Sequence, residues 1–312
     1  LVASQRGARG VDAASQLRDD ARFAASIIQR LGVQTGFEDY RSATKPYYGT
    51  KSDYKGETSG LDIDALMPNV YGYNNAVPSS TDPINNVSVR RTGSEGYGSD
   101  ILILQNQTVA LDPRKLTASD QSMINCMGDA PDTVSIDRKD RIVNIFYLGK
   151  SSGEAGMSLM CGTKNKKGTY DFQPLIKNVE SFQVLYGVDN VTPNKEPAGH
   201  SDSVPDAYLR ADQLTVAGDQ AATYTNWRRV RSLRIGLVLQ GPRGSAPGEA
   251  EIKHYPFGDE RYASANDPGS ELTTKDNRLH QVVTFTVQLR NCQNQGFQSD
   301  LKVPCDVVKP VN

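Results

Sequence analysis

Between residues 14 and 31 apolar side chains recur at intervals of three and four. Leu17, Ala21, Ala24, Ile28 and Leu31 form one stripe, widened by Phe23 and Ile27, while Arg18, Asp19, Arg22, Ser26 and Gln29 fall on the other side. That spacing predicts an amphipathic helix with one buried face. Asp20 falls inside the stripe, and Gly32 and Gly36 supply stop signals.

No period persists from residue 38 to residue 99. The stretch mixes Gly, Ser, Asn and Pro with seven of the 14 tyrosines, Tyr40 to Tyr97. Irregular loops are expected here, with at most one helical turn near "LDIDALM". Tyrosine offers a broad, stiff contact surface with a polar tip. Tyr47, Tyr48, Tyr54, Tyr71 and Tyr73 are therefore candidate contacts to a partner or ligand; packing onto their own domain is the plainer alternative.

From Ile101 onward the signal changes to strands: "DILILQNQTVAL", "RIVNIFYLG", "MSLMCG", "VESFQVLYGVD", "VRSLRIGLVLQ" and "QVVTFTVQLRN". Phe182, Val184, Tyr186 and Val188 share one parity, as do Leu233 to Leu239 and Val283 to Leu289. Such alternation predicts antiparallel sheet with one face buried and one wet. Turn-rich insertions are expected at 162–171, 189–207 and 241–279. One helix followed by a run of strands is α+β, the helix lying on the sheet. The expected division is a helix over 1–37, an irregular region over 38–100 and a β-sheet head over 101–312, all one globular domain.

Composition narrows the function more than the fold. A net charge of −1 creates no global field to recruit nucleic acid or an anionic membrane. No apolar run approaches the roughly 18 residues that a membrane span requires. Four cysteines allow three pairings. The polar, loop-like interval "CQNQGFQSDLKVPC" favours Cys292–Cys305, which leaves Cys126 for Cys161, free thiols being the alternative. Disulfides imply an oxidising compartment such as the periplasm or cell exterior.

Little in the chain promises chemistry. His200, His254 and His280 show no paired ligand spacing, and no nucleophile elbow, zinc-protease or phosphate-loop motif is present. No catalytic residue, metal or cofactor is expected. Asp62 and Asp64 in "DID", and Asp189, Asp202 and Asp206 in the 189–207 loop, offer oxygen donors without calcium-loop spacing. Arg228, Arg229, Arg231 and Arg234 cluster beside the single Trp. Arginines near an aromatic suit a nucleic-acid backbone. The competing reading, ion pairs or carbonyl contacts at a strand entrance, follows from Arg229 and Arg231 sharing parity with the buried set.

Four stretches carry a family resemblance, to the PilW family of type IV pilus minor pilins. "AASQLRDDARFAASIIQRLGVQTGF" is similar to the segment in which such pilins leave the membrane and enter the head. "GSDILILQ" resembles the first head strand. "QPLIKNVESFQVLYGVD" is the most specific, and "WRRVRSLRIGLVLQ" with "VVTFTVQLRN" resembles the paired C-terminal strands. The resemblance implies a type IV pilin-like fold in which this chain is a head lacking the N-terminal transmembrane half-helix. It implies no enzyme and no cofactor. The implied role is a minor pilin that takes part in priming pilus assembly, adhesion and twitching motility. Its implied partners are other minor pilins, the major pilin, a tip-associated adhesin-like protein and, through the missing helix, the inner membrane. It would occupy the inner membrane before assembly and the pilus tip afterwards. The alternative is a secreted or surface binding module that contacts DNA or a host surface through the tyrosine-rich region or Arg228 and Arg229.

Overall fold

In the computed structural model, which describes residues 2–37, 67–135, 140–199, 201–248 and 250–290, the amphipathic stripe is seated as its spacing requires. Helix α1 (Val2–Gln34) buries Leu17, Ala21, Ala24, Ile28 and Leu31. It starts well before the periodic segment, where Gly7 and Gly10 interrupt any apolar pattern. Asp20 sits at the edge of the stripe and accepts a hydrogen bond from Gln16 Nε2 at 2.9 Å. Phe23 does not join the core: it is 49% exposed, because it lies beyond the arc that the sheets cover.

Gly32, read as a stop signal, is helical. The helix ends one turn later, where Thr35 Oγ1 donates to the Leu31 carbonyl at 2.7 Å and Gly36 takes φ 80°. That left-handed residue is the usual exit from a helix.

Two antiparallel sheets receive α1. The first has five strands in the order β1 (Val70–Tyr73), β4 (Ile101–Asn106), β7 (Ile142–Lys150), β8 (Met157–Lys164), β9 (Tyr170–Lys177). The second has four, in the order β11 (Ala207–Leu209), β10 (Val179–Val188), β12 (Val230–Gln240), β15 (His280–Gln288). Three hairpins decorate them: β2 (Ala76–Pro78) with β3 (Val87–Val89), β5 (Ala110–Asp112) with β6 (Lys115–Ser119), and β13 (Glu251–His254) with β14 (Leu272–Lys275). A second helix, α2 (Gln220–Arg228), precedes β12.

One core joins α1 to both sheets. Leu102, Leu104, Phe146 and Leu148 enter it from the first sheet; Phe182, Val184, Tyr186, Leu233, Ile235 and Leu237 enter from the second. The opposite parity of β4, Ile101 and Ile103, fills a smaller core beneath the β2–β3 hairpin with Met67, Ile84, Val143 and Ile145. The unbroken apolar run in "ILIL" thus reflects burial on both faces.

The sheets are hydrogen-bonded to each other as well as packed. β11 pairs only with the last residues of β10, so the middle of β10 has an open edge. Just ahead of β4, Asp100 fills it: its N–H donates to the Phe182 carbonyl at 2.9 Å, and its carboxylate accepts from the Val184 N–H at 2.8 Å.

Two expectations need correction. The first concerns residues 67–100, which are not wholly irregular: β1 pairs with β4 over four residues, and β2 pairs with β3. Strands of three or four residues are too short to show alternation. The β1 sequence "VYGY" also contains a glycine that the structure demands, since a Cβ on Gly72 would run into the Tyr186 hydroxyl and the Ile101 carbonyl.

The second is the wet outer face of the sheet. Ser181 and Gln183 of β10 and Ser232 of β12 are buried although polar. Part of the insertion 241–279 folds back over this face. Thr284 Oγ1 donates to the Pro256 carbonyl at 2.7 Å, Arg234 Nη2 donates to the Phe257 carbonyl at 2.9 Å, and Gly269 packs against Gln183.

Candidate functional site

Opposite its buried stripe, α1 presents a continuous exposed face. Val11, Ser15, Arg18, Arg22, Ser26, Gln29 and Val33 lie along it at helical spacing, with Asp19, Phe23 and Arg30 beside them, all exposed. Val11 is 68% exposed and Val33 50%. Ahead of Ala13, the first buried residue among those described, Gly7, Ala8, Arg9, Val11 and Asp12 are exposed and only Gly10 is partly covered, by the Ser245 carbonyl. The helix therefore has one face committed to the domain, and a second face, with the stretch 7–12, that the domain leaves largely uncovered.

Tyr71 and Tyr73, the two candidate tyrosines within the described residues, pack onto their own domain. Tyr71 packs on Trp227 at 4.6 Å between ring centroids, edge-on to Tyr73 at 5.4 Å and to Tyr224 at 6.1 Å. Tyr186 meets Trp227 from the other side at 4.7 Å. Burial, helped by the nearby Tyr224, pushes the Tyr71 phenol up to about 12. Tyr73 donates to the Ile84 carbonyl, and burial likewise raises its pKa. These two residues pin β1 to the core. Tyr47, Tyr48 and Tyr54 lie outside the described residues, as do Asp62, Asp64, His200 and the Cys292–Cys305 pair.

The arginine run also turns inward, which corrects its reading as a contact surface. Arg228 is 2% exposed and Arg229 fully buried. Arg229 donates through Nη2 to the Gly199 carbonyl at 2.7 Å and through Nη1 to the Asp189 and Ala198 carbonyls at 3.4 Å. Arg231 Nη2 donates to Ser201 Oγ at 2.7 Å and lies 3.5 Å from the buried Asp189 carboxylate. These arginines hold the 189–203 loop on the entrance to β12. The carbonyl contacts that parity pointed to are the ones formed.

The acidic residues of that loop serve its own backbone. Asp189 accepts from Ser201 Oγ and the Ser203 N–H, Asp206 from the Asn190 N–H, and Asp202 from the Val204 N–H. They do not converge on a shared point. The Cys126–Cys161 disulfide is formed, with its Cα atoms 6.0 Å apart, and ties the 120–135 loop to β8.

Sequence reasoning missed α2. Asp219 caps it by accepting from the Ala222 N–H at 2.9 Å. Its residues from Ala222 to Arg228 are all buried, polar ones included, so it carries no amphipathic signal. Asn226 is accommodated by donating to the Lys195 and Leu214 carbonyls. The Asp219 cap was the one legible sign.

The fold is thus a long helix laid across two antiparallel sheets, with its outer face uncovered. Residues 145–291, from within β7 to just past β15, match the family model of type IV pilus-assembly protein W, PilW. The family resemblance is thus shown over that segment. None of the curated proteins matches the chain. Among solved structures it is similar to a type IV-like pilin from Thermus thermophilus, at 14% identity and a TM-score of 0.35, covering 88% of this chain and 96% of that one.

Proposed function

We propose that this chain is a minor pilin that takes part in priming type IV pilus assembly, standing at or near the pilus tip in a complex with other minor pilins. The observation that carries the reading is α1 itself: one stripe is buried in the head, while the opposite stripe and the stretch 7–12 are largely uncovered. The PilW match across the β7–β15 segment supports it. A subunit that assembles by helix-to-helix contact needs such a division, with a rigid head, a covalent staple and a free helical face. On this reading the major pilin and a tip-associated adhesin-like protein are further partners. The protein would sit in the inner membrane before assembly and on the cell surface afterwards.

Co-purification with the head domains of other minor pilins tests the reading. The chain is expected to retain at least one of them. Phe23→Glu and Val33→Glu should abolish retention without changing Tm, because both side chains are exposed. A chain that retains none of them, or retention indifferent to both substitutions, overturns it.

A further inference from the structure

Two regions distant in sequence bring Glu180 together with Asp276 and His280, which stand four residues apart, on one side of the second sheet. Glu180 sits in the bulge of β10, where the register against β12 slips between Val179 and Ser181. A bulge re-aims the side chain it carries, and here that side chain reaches across to β15. His280 is the first residue of β15, and Asp276 lies in the turn between β14 and β15. One ligand atom from each residue fits within 4.8 Å of the others.

The polar atoms are placed but not satisfied. The His280 side chain is 2% exposed, and its Nε2 stands 2.9 Å from Glu180 Oε2. Both are buried atoms without a hydrogen-bond partner. The two atoms are partners to each other only when the imidazole is protonated at Nε2; a neutral ring that leaves Nε2 bare sets two acceptors face to face. A divalent cation between them would satisfy both at once.

The geometry points to a zinc site formed by Glu180, His280 and Asp276, with water completing the coordination. One imidazole and two carboxylates suit zinc, which takes nitrogen and oxygen donors; calcium would call for an all-oxygen set. The supporting shell is present. Asp276 Oδ1 lies 3.9 Å from His280 Nδ1 and accepts from the Arg278 N–H at 3.0 Å, which orients the carboxylate. The His254 ring lies 4.8 Å from that of His280 and is held by Thr274 Oγ1 at 2.8 Å, closing the site on the hairpin side. Bound zinc would join β10, β15 and the turn before it. That turn is bonded to the 241–246 loop, through the Gly241 N–H to the Leu279 carbonyl and the Gly244 N–H to the Asn277 carbonyl.

The test uses tag-free chain stripped with chelator and dialysed, then titrated with Zn²⁺ alone by calorimetry. One saturable equivalent is expected, together with a rise in Tm. Cobalt in place of zinc should give the visible absorption of a low-coordinate site. Glu180→Gln, nearly isosteric, and His280→Ala should each weaken binding at least tenfold and remove the rise in Tm. Thermal unfolding in chelator confirms that both variants fold, and Glu180→Gln carries the test alone if His280→Ala does not. No saturable uptake, or uptake that Glu180→Gln leaves intact, overturns the assignment.

Discussion

Gly32 of α1 lies against Val287 of β15 with no room between them for a methyl group: a Cβ on Gly32 would overlap Val287 Cγ1. Helix and sheet are in close contact here, which fixes the depth at which the helix is seated. Alanine normally stabilises a helix interior by about 1 kcal/mol over glycine. Here overpacking, at about 1–3 kcal/mol, wins. Gly32→Ala is expected to lower stability by about 1 kcal/mol in denaturant titration. Val287→Ala in the same chain should recover most of that loss, as a double-mutant cycle would show.

The Cys126–Cys161 bridge closes a separation of 35 residues between two buried sulfurs. In the chain-entropy model a loop of this size is worth roughly 4 kcal/mol. Replacing both cysteines with serine should cost at least about that much, since two hydroxyls then replace sulfur in a dry site. Chemical denaturation of the oxidised protein against the double variant measures it. A loss under about 1 kcal/mol would mean that the loop is held by its hydrogen bonds, such as that from the Cys126 N–H to Asn144 Oδ1.

Arg229→Ala separates the two readings of the arginine run. It withdraws the donors to Gly199 and Ala198 and opens a void at a fully buried position, so a loss of about 3 kcal/mol or more is expected. DNA retention on a salt gradient should not change for Arg229→Lys, a variant that keeps the charge. A retention peak that moves with Arg229→Lys while Tm stays fixed would contradict the inward role.

Asp100 predicts an unusual pH response at the joint between the sheets. Burial, then the nearby Asp267 carboxylate, raises its pKa well above the ordinary value, against the hydrogen bonds from the Asn75 and Val184 N–H groups and the charge of Arg90. A carboxyl whose pKa rises on folding takes up a proton as the chain folds. Its contribution is fully present below the unfolded value, about 3.9, and is lost as pH rises through the folded value. Mild acidification from neutrality should therefore strengthen this joint. Asp267→Asn should shift the midpoint of that response to lower pH, read from urea unfolding at successive pH values.

The parts of the fold legible in sequence are those where burial follows a single period. Leu17 to Leu31 mark the seated face of α1, and the strands β7, β10, β12 and β15 fall within a residue or two of their apolar runs. Legibility fails where burial has no period. All of Ala222 to Arg228 is buried, so α2 offers no stripe. β9 carries Pro174 and lies at a sheet edge, where proline is tolerated but hides the strand. The cluster of Glu180, Asp276 and His280 gave little signal, because Asp276 and His280 are near neighbours but Glu180, in a distant bulge, joins them only after folding. The arginines show a different limit. Their composition suggested contact with an anion, but the parity of Arg229 and Arg231 was the better guide.

One consequence follows from how α1 lies along the second sheet. Ala13 sits beside Gly241, next to the Leu279 end of the sheet, while Gly32 rests on Val287, so helix and β15 run in the same direction. Tension applied along the helix from its N-terminal side is therefore passed to β15 lengthwise. It loads the nine registered pairs between β15 and β12 in shear. Bonds strained side by side share a force that a peeling geometry would apply to them one at a time, so a pull along α1 meets the second sheet in its more resistant direction.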